Sequence, residues 1–378
     1  MAKQAKFAFC LFEYIPFGGM QRDLLHIAET CLKRGHQVDI FAGAWKAPLP
    51  VHLNVSILPV SGLANHRRCE SFAKRLGEYL SKNIKEYDAV VGFNKMPGLD
   101  IYFAADTCFA ARARSRTFWY RLNGRCRSYL RLEQAVFDKN AKTEILLISE
   151  QQKEFYKDYY GTSEKRFHLL PPGISRDRPA TGNSGEAGRG LRSELGIGSD
   201  QNLVLMVGSG FKTKGVDRGI RAISSLPSRL REKTILLVVG EGNKRPFRRL
   251  ARRAGVDKQV YFVGGRKDVP RFMAAADLLL HPSYRETAGM VLIEAMASGL
   301  PVLATDVCGY GFHIERAGAG MLVPSPFDQK ILNQLLSSML ISDMKNKWHK
   351  NGMRYVADTD VFSLPEKAAD FIERVAAC

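Results

Sequence analysis

An α/β protein of two parallel-sheet domains is what this sequence predicts, and three observations carry the prediction. The chain has 378 residues, more than one ordinary hydrophobic core, so two domains are expected. Short apolar runs of strand length alternate with amphipathic stretches of helical spacing in both halves, the pattern of parallel strands joined by right-handed helical crossovers. Between the halves, Leu169-Leu170-Pro171-Pro172-Gly173 breaks the alternation, and the stretch from Thr181 to Gly190 is rich in Gly and Ser. The expected division is residues 1–172, residues 173–360 and a closing helical segment, 361–378.

In the first half Lys6 to Phe12 reads as a strand, followed by the turn Ile15-Pro16-Phe17-Gly18-Gly19 and an amphipathic helix from Met20 to Arg34 that Gly35 ends. Val38 to Ala42 and Val55 to Val60 are strands, and Asn65 to Ile84 a helix. Ala89 to Phe93 and Ile101 to Ala105 are further strands, followed by a basic segment, a helix through Phe137 and a strand from Glu144 to Ile148. In the second half the strands are Leu203 to Val207, Thr234 to Val239, Val260 to Val263, Leu278 to His281 and Val302 to Thr305. Helices from Asp217, Arg245, Val269 and Val291 separate them, and Ser363 to Ala377 is a last helix.

Composition excludes several classes. No apolar run approaches the roughly 18 residues of a membrane span, and Glu13 interrupts the apolar FAFCLF well short of a signal-peptide core. Seven cysteines (Cys10, Cys31, Cys69, Cys108, Cys126, Cys308, Cys378) are scattered with no C-x-x-C pair, so neither a disulfide framework nor a zinc site is indicated and a reducing cytoplasm is expected. The net charge of +18 asks for an anionic partner. Residues 1–172 hold 26 basic and 17 acidic side chains, and the remainder 30 and 21, so position within each half matters more than the totals. Between Asp106 and Glu133 there is no acid, while Arg112, Arg114, Arg116, Arg121, Arg125, Arg127 and Arg131 interleave with Phe109, Phe118, Trp119, Tyr120 and Tyr129. Such a segment suits an anionic membrane surface, rings at headgroup level and arginines toward phosphates.

The densest chemical signal is HPSYRETAGMVLIEAMASGLPVL, His281 to Leu303. Two carboxylates, Glu286 and Glu294, have seven residues between them, and the small-residue turn Thr287-Ala288-Gly289 precedes a helix that begins near Met290. A helix start presents backbone N–H groups and positive dipole, so such a turn can take a phosphate. Glu286 then stands before the first turn and Glu294 about two turns in, spaced for two parts of one elongated ligand.

Upstream, Gly208-Ser209-Gly210 and Gly240-Glu241-Gly242 each follow a strand, but neither completes G-x-G-x-x-G and no P-loop follows. The first turn runs on into Lys212-Thr213-Lys214-Gly215, lysines that are ordinary solvated residues unless the same sheet edge holds a diphosphate. Gly18-Gly19 opens a helix in the same way, with Asp23 one turn further, and has an ordinary glycine turn as its bland alternative. Gly264-Gly265-Arg266 is a weaker turn of the same kind. Asp358-Thr359-Asp360 has the D-x-D pattern but too few oxygen ligands for a hard cation, so it reads as solvated loop and no metal is expected. His281 and Cys308 read as packed residues.

With Glu286 and Glu294 in the frame PSYRETAGMVLIEAMASGLPV, and the basic VGSGFKTKGVD upstream, the second half resembles the retaining GT-B glycosyltransferases of family 4, whose signature is E-x7-E. FCLFEYIPFGGMQRD, VVGFNKMPGLDIYFAAD, LLPPGI and DTDVFSLPEKAADFI extend the resemblance to the lipopolysaccharide core-biosynthesis glucosyltransferases over essentially the whole chain. The resemblance implies two Rossmann-like domains facing a cleft, an acceptor-binding first domain, a nucleotide-sugar-binding second domain, and a C-terminal helix crossing back to the first. It assigns Glu294 to the ribose hydroxyls, Glu286 with the Thr287-Ala288-Gly289-Met290 backbone to the hexose and β-phosphate, and Lys214 to the diphosphate leaving group. Gly265 and Arg266 frame the uracil, Gly18, Gly19 and Asp23 close on the sugar and phosphate, and Asp106 positions the acceptor hydroxyl. The family commonly places Arg just after the strand glycine; Ser209 stands there, so the charge falls to Lys212 and Lys214.

The expected activity is transfer of a hexose, glucose first, from a UDP-sugar to heptose of the lipopolysaccharide inner core, with retention and without metal or other cofactor. UDP-hexose, the core acceptor and an anionic membrane surface are the expected partners, with the protein peripheral on the cytoplasmic face. Arg112, Arg114, Arg116, Trp119, Tyr120, Arg121, Arg125 and Arg127 form the membrane or acceptor surface. The alternatives are another family 4 donor, UDP-N-acetylgalactosamine or GDP-mannose, another lipid acceptor, and, in a different class, a basic RNA-binding protein on the same fold, against which no RNA-binding signature is present.

Overall fold

A computed structural model describes residues 4–16, 18–83, 86–175 and 184–377, which form two α/β units. One comprises Met1–Pro171 with Ser363–Cys378, the other Pro172–Phe362. Phe17, Thr181 and Cys378 lie outside the described residues.

Seven strands build the first unit: β1 (Lys6–Tyr14), β2 (Gln37–Trp45), β3 (Asn54–Ile57), β4 (Ala89–Gly92), β5 (Ile101–Ala104), β6 (Glu144–Leu147) and β7 (Phe167–Leu169). They are hydrogen-bonded in the order β3-β2-β1-β4-β5-β6-β7, every pair parallel. Phe7 to Leu11 are fully buried, because a parallel sheet is covered on both faces and its central strands are apolar throughout. The helices are α1 (Gly19–Lys33), α2 (Asn65–Lys82), α3 (Phe109–Arg114), α4 (Phe118–Leu122), α5 (Gly124–Phe137) and α6 (Gln151–Tyr160). Strand order turns back between β1 and β4, so loops leaving their C-terminal ends diverge and open a crevice there.

One buried carboxylate fixes the helical part of this unit. Glu133 of α5 is fully buried, and its oxygens accept from Phe109 N (2.7 Å), Ala110 N (2.8 Å), Tyr160 Oη (2.8 Å) and Lys95 Nζ (2.6 Å). Two of those donors are backbone N–H groups that open α3, where a carboxylate also meets the positive end of the helix. Burial raises the Glu133 pKa, but the Lys95 charge and these hydrogen bonds outweigh it and hold the carboxyl below its ordinary value. Lys95 also donates to Thr107 O at 2.9 Å, so the loops after β4 and β5 are tied to one point.

The second unit begins with α7 (Ser184–Glu194) and continues through β8 (Asn202–Val207), α8 (Val216–Ser224), α9 (Ser228–Glu232), β9 (Thr234–Val239), α10 (Arg245–Arg253), β10 (Val260–Gly264), α11 (Val269–Ala275) and β11 (Leu278–His281). It ends with α12 (Met290–Ala297), β12 (Val302–Thr305), α13 (Gly311–Ala317), β13 (Gly320–Val323), α14 (Gln329–Ile341) and α15 (Lys345–Asp358). The sheet runs β10-β9-β8-β11-β12-β13, again all parallel, and its switch falls between β8 and β11. After the second unit the chain forms α16 (Leu364–Ala376), which belongs to the first and packs on α1. There Arg34 pairs with Asp370 (2.8 Å) and Glu373 (3.1 Å), and the His168 ring lies 4.1 Å from that of Phe371.

Several sequence expectations change. The glycine-rich stretch after Thr181 is helical from Ser184, because Gly188 lets α7 press on α11: a Cβ there would stand 2.3 Å from Ala274 O. The basic segment, expected ahead of a helix through Phe137, itself contains the short helices α3 and α4 before α5. Strands β7 and β13 and helices α13 to α15 are additional to the elements assigned from sequence, although α14 has a helical apolar period, and Asp358 of the D-x-D closes α15 instead of lying in a loop. No described helix is long and apolar enough to cross a membrane.

Replacing Glu133 with Ala leaves the Lys95 ammonium and two helix-start N–H groups without their acceptor, and such an uncompensated buried charge costs about 3–5 kcal/mol. Urea unfolding of Glu133→Ala is expected to show that loss, whereas a loss below about 1 kcal/mol would mean that water replaces the carboxylate.

Candidate functional site

At the switch of the second sheet, the chain leaving β8 has eight residues, Gly208 to Gly215, before α8 begins. Gly208, Gly210 and Gly215 have φ of 142°, 76° and 72°, values that a side chain opposes. The loop leaving β11 lies directly against this one. A Cβ on Gly215 would stand 2.0 Å from Pro282 O, and Tyr284 N donates to Thr213 O at 2.8 Å. Arg218 of α8 clamps the pair, donating to Pro282 O (3.1 Å) and Ser283 O (2.9 Å) with its guanidinium 3.7 Å from the Tyr284 ring centre and 3.5 Å from that of Phe327.

This contact brings Lys214 to Glu286. The lysine stem passes over Gly208, where an added Cβ would be 3.0 Å from its Cε, and the ammonium pairs with Glu286 Oε2. His281, 1% exposed, places Nε2 3.1 Å from the same oxygen and 3.0 Å from Ser283 Oγ. Burial lowers the His281 pKa, assisted by the Lys214 charge and opposed by Glu286, so the ring is neutral. Burial raises the Glu286 carboxyl, but the His281 hydrogen bond and the Lys214 charge more than reverse this and bring it to about 2. Glu286 is therefore a fixed anion, held on one side by a neutral imidazole and on the other by a cation.

The turn beyond it is also fixed. Glu286 forms a parallel bridge with Cys308, and Tyr310 N donates to Ala288 O at 2.8 Å. Gly289, at φ 96°, stands at the N-cap of α12 with no capping side chain, so Thr287, Ala288, Gly289 and Met290 present backbone at that helix start. Glu294 is buried on α12, one turn beyond Met290; the two turns expected from spacing count the non-helical residues before Gly289.

The other predicted residues of this unit are engaged locally. Lys212 Nζ is 3.0 Å from Asp217 Oδ2 and 3.2 Å from Tyr284 Oη, and its side chain is 71% exposed. Of the two lysines, Lys214 is the one beside Glu286. Ser209 Oγ accepts from Glu241 N at 3.1 Å, and Gly265 N donates to Glu241 Oε1 at 2.7 Å, so Glu241 joins the two glycine turns at neighbouring strand ends. Arg266 makes two 2.8 Å bonds to Asp268, which leaves backbone rather than a free guanidinium at that turn.

In the first unit Gly18 is the N-cap of α1, Gly19 its first residue, and Asp23 is buried on it with Arg22 Nε 3.8 Å from Oδ1. Asp106 follows β5 and borders a cavity of about 310 Å³ at the C-terminal ends of β1, β4 and β5. Arg112 and Arg125 line the same cavity. Arg114, Arg116, Arg121 and Arg127 are exposed, as are Phe118 and Trp119 of α4 at 60% and 78%. Tyr120 departs from the expected surface: it packs inward on Phe109, Ala113 and Cys126, because a short helix with Phe118, Trp119 and Leu122 outward must turn its remaining ring to the core. Sequence reading missed Lys95, Glu133, Arg218 and the His281–Glu286 hydrogen bond, each of which depends on residues distant in the chain or on loop geometry.

Two α/β units of this topology with the Lys214–Glu286 junction at a switch point define a glycosyltransferase of the GT-B type, and the chain belongs to family 4 of these enzymes. The model described as Glycosyltransferase Family 4 matches residues 17–178, and that described as Glycosyl transferases group 1 matches residues 189–355. Among individual proteins, the chain is 45% identical over 370 residues to lipopolysaccharide glucosyltransferase WaaG of Escherichia coli (strain K12), covering 97% of this chain and 98% of that one. The crystal structure of WaaG, a glycosyltransferase involved in lipopolysaccharide biosynthesis, superposes with a TM-score of 0.93 at 44% identity over 97% of this chain and 99% of that one. Anabaena Alr3699/HepE in complex with UDP and glucose shares the fold, with a TM-score of 0.78 at 19% identity over 98% and 100% of the two chains.

Because Glu286 titrates at about 2 in the folded protein and near its ordinary 4.5 when unfolded, its contribution to stability is complete above 4.5 and lost as pH falls toward 2. Unfolding free energies of the wild type and Glu286→Gln, measured by urea titration from pH 6 to pH 2.5, are expected to converge on acidification. Parallel curves would show that Glu286 is not held as an anion.

Proposed function

We propose that the protein is a retaining glucosyltransferase that moves glucose from UDP-glucose to a heptose of the lipopolysaccharide inner core at the cytoplasmic membrane face. The observation that carries this reading is the Lys214–Glu286–His281 cluster beside the uncapped start of α12, at the switch point where an α/β sheet takes a ligand. The name of the Escherichia coli relative supports the choice of sugar and acceptor.

Donor binding follows from charge and geometry. The diphosphate takes the α12 N-terminus and Lys214, which exchanges its internal partner for the β-phosphate as negative charge builds on the leaving group. Glu286, kept in place by His281 while Lys214 turns to the phosphate, accepts from hexose hydroxyls. Glu294 accepts from the ribose hydroxyls, and the Gly265 turn frames the uracil. In transfer, the bond from the anomeric carbon to the β-phosphate oxygen breaks as that carbon bonds to the acceptor oxygen on the same face. The acceptor proton passes to the departing β-phosphate oxygen, UDP leaves, and no metal is required because the cationic side chain and helix dipole carry the charge. Asp106, bordering the first unit's cavity, positions the acceptor hydroxyl.

The exposed face of α3 to α5 attaches the protein to anionic lipid. Phe118, Trp119 and Leu122 of α4, 60%, 78% and 47% exposed, supply the apolar contact, and Arg114, Arg116, Arg121 and Arg127 the charge.

Lys214→Gln is expected to lower kcat by about 10²- to 10³-fold, the scale of losing one transition-state charge partner. Glu294→Ala is expected instead to weaken UDP binding by about tenfold or more. Nucleotide release is measured across UDP-glucose, UDP-N-acetylgalactosamine and GDP-mannose with core acceptor; preference for either of the last two would redirect the donor assignment, and a glycosylated Glu286 peptide from a fluorinated donor would replace front-face attack by a covalent route. Salt-sensitive RNA binding without sugar transfer would overturn the enzyme reading. For the membrane face, Phe118→Ser with Trp119→Ser is expected to reduce co-sedimentation with vesicles containing phosphatidylglycerol by about tenfold, and unchanged sedimentation would remove the attachment.

A further inference from the structure

The cavity of the first unit is larger than an accepting aspartate requires, and its charges are unevenly used. Its volume of about 310 Å³ is at the small end of ligand sites and admits one or two sugar rings. Three cations line it: Lys95, Arg112 and Arg125. Lys95 is already satisfied by Glu133 at 2.6 Å and Thr107 O at 2.9 Å. Arg112 and Arg125 have no carboxylate partner among the described residues. Each lies near an aromatic ring instead, its guanidinium carbon 4.6 Å from the Phe109 centroid and 5.9 Å from that of Tyr129, respectively. A guanidinium held against a ring face keeps its edge N–H donors available, in the fork that matches a phosphate or carboxylate.

These two arginines differ from their neighbours in placement. Arg114, Arg116, Arg121 and Arg127 are exposed like Trp119 and lie outside the cavity lining, whereas half-buried Arg112 and exposed Arg125 both border the cavity. The wall that carries them is rigid, because Glu133 of α5 holds the backbone of Phe109 and Ala110 where α3 begins. Among the described residues, the only acid bordering the cavity is Asp106, an acceptor suited to a hydroxyl. Two cationic forks and one carboxylate around aromatic walls fit a sugar that carries both free hydroxyls and an oxyanion.

We propose that this cavity is an acceptor subsite for an anionic sugar, in which Arg112 and Arg125 grip a phosphate monoester or sugar carboxylate while Asp106 takes a hydroxyl; the assignment rests on the protein being a transferase that acts on the lipopolysaccharide core. Selection for the charged acceptor then lies in the first unit, independent of the nucleotide groups in the second.

The test is direct binding to the full-length protein by isothermal titration, with three probes: heptose, heptose phosphate and glucuronic acid. Heptose phosphate or glucuronic acid, whichever oxyanion the site takes, is expected to bind about tenfold or more tightly than heptose, the scale of a charge-assisted pair. Arg112→Gln with Arg125→Gln is expected to erase that gap, and Arg112→Lys with Arg125→Lys to restore part of it. Thermal unfolding of the same samples, followed by circular dichroism, reports that the first unit remains folded, and UDP affinity reports the second. Equal binding of all three probes to the wild type, or a gap that survives in the double glutamine variant, would overturn the subsite. Because the measurement needs no turnover, failure of sugar transfer to any heptose acceptor with the gap intact strikes the proposed function alone, and transfer without a gap strikes the subsite alone.

Discussion

The second unit depends on one close approach of backbone to backbone, that of Gly215 to the carbonyl of Pro282. Any larger residue at 215 would push the loop after β8 away from the loop after β11, since its Cβ would stand 2.0 Å from that oxygen. With the loops in contact, Lys214 lies across Gly208 and meets Glu286, and Arg218 can reach two carbonyls of the facing loop. A glycine thus sets the distance between a cation and an anion that stand 72 residues apart in the chain. The pairing also explains how a lysine can be kept in one rotamer before any ligand arrives, since its internal partner is a carboxylate that stays ionised at every physiological pH.

The first unit solves a different problem, that of a strongly basic segment. Seven arginines between Arg112 and Arg131 cannot all face one way without repelling one another. The structure separates them by face: Arg112 and Arg125 border a cavity, Arg131 pairs with Glu70, and the others go to solvent beside exposed rings. Glu133, the first acid after this segment, becomes the buried anchor of its opening helix. The tyrosine that packs inward, Tyr120, shows that the aromatics are divided in the same way.

Sheet-forming runs were legible because burial on both faces of a parallel sheet leaves continuous apolar stretches, and Phe7 to Leu11 and Leu203 to Leu205 are instances. The nucleotide-side motif was legible because its residues are close in sequence, from His281 to Glu294, and its glycines occupy turns that demand them. What escaped was long-range: Glu133 reaching Lys95 across 38 residues, Arg218 reaching Ser283 across 65. The helix α7 escaped for the opposite reason, since three glycines in a short stretch are a local signal for loop that packing on α11 overrides. Short edge elements such as β13, only partly buried, lack the period that identifies their neighbours.

The docking of α16 on α1 has a bearing on how the chain is made. Leu364, Ala368, Ala369, Phe371 and Ile372 are buried on this helix, which follows the whole second unit in sequence yet completes the first. On the ribosome, the face of α1 that receives it stays uncovered while close to two hundred intervening residues, Pro172–Phe362, are synthesised. The unit whose strands emerge first is therefore the one finished last, and during translation it exposes Arg34 and the apolar surface beside it without their partners.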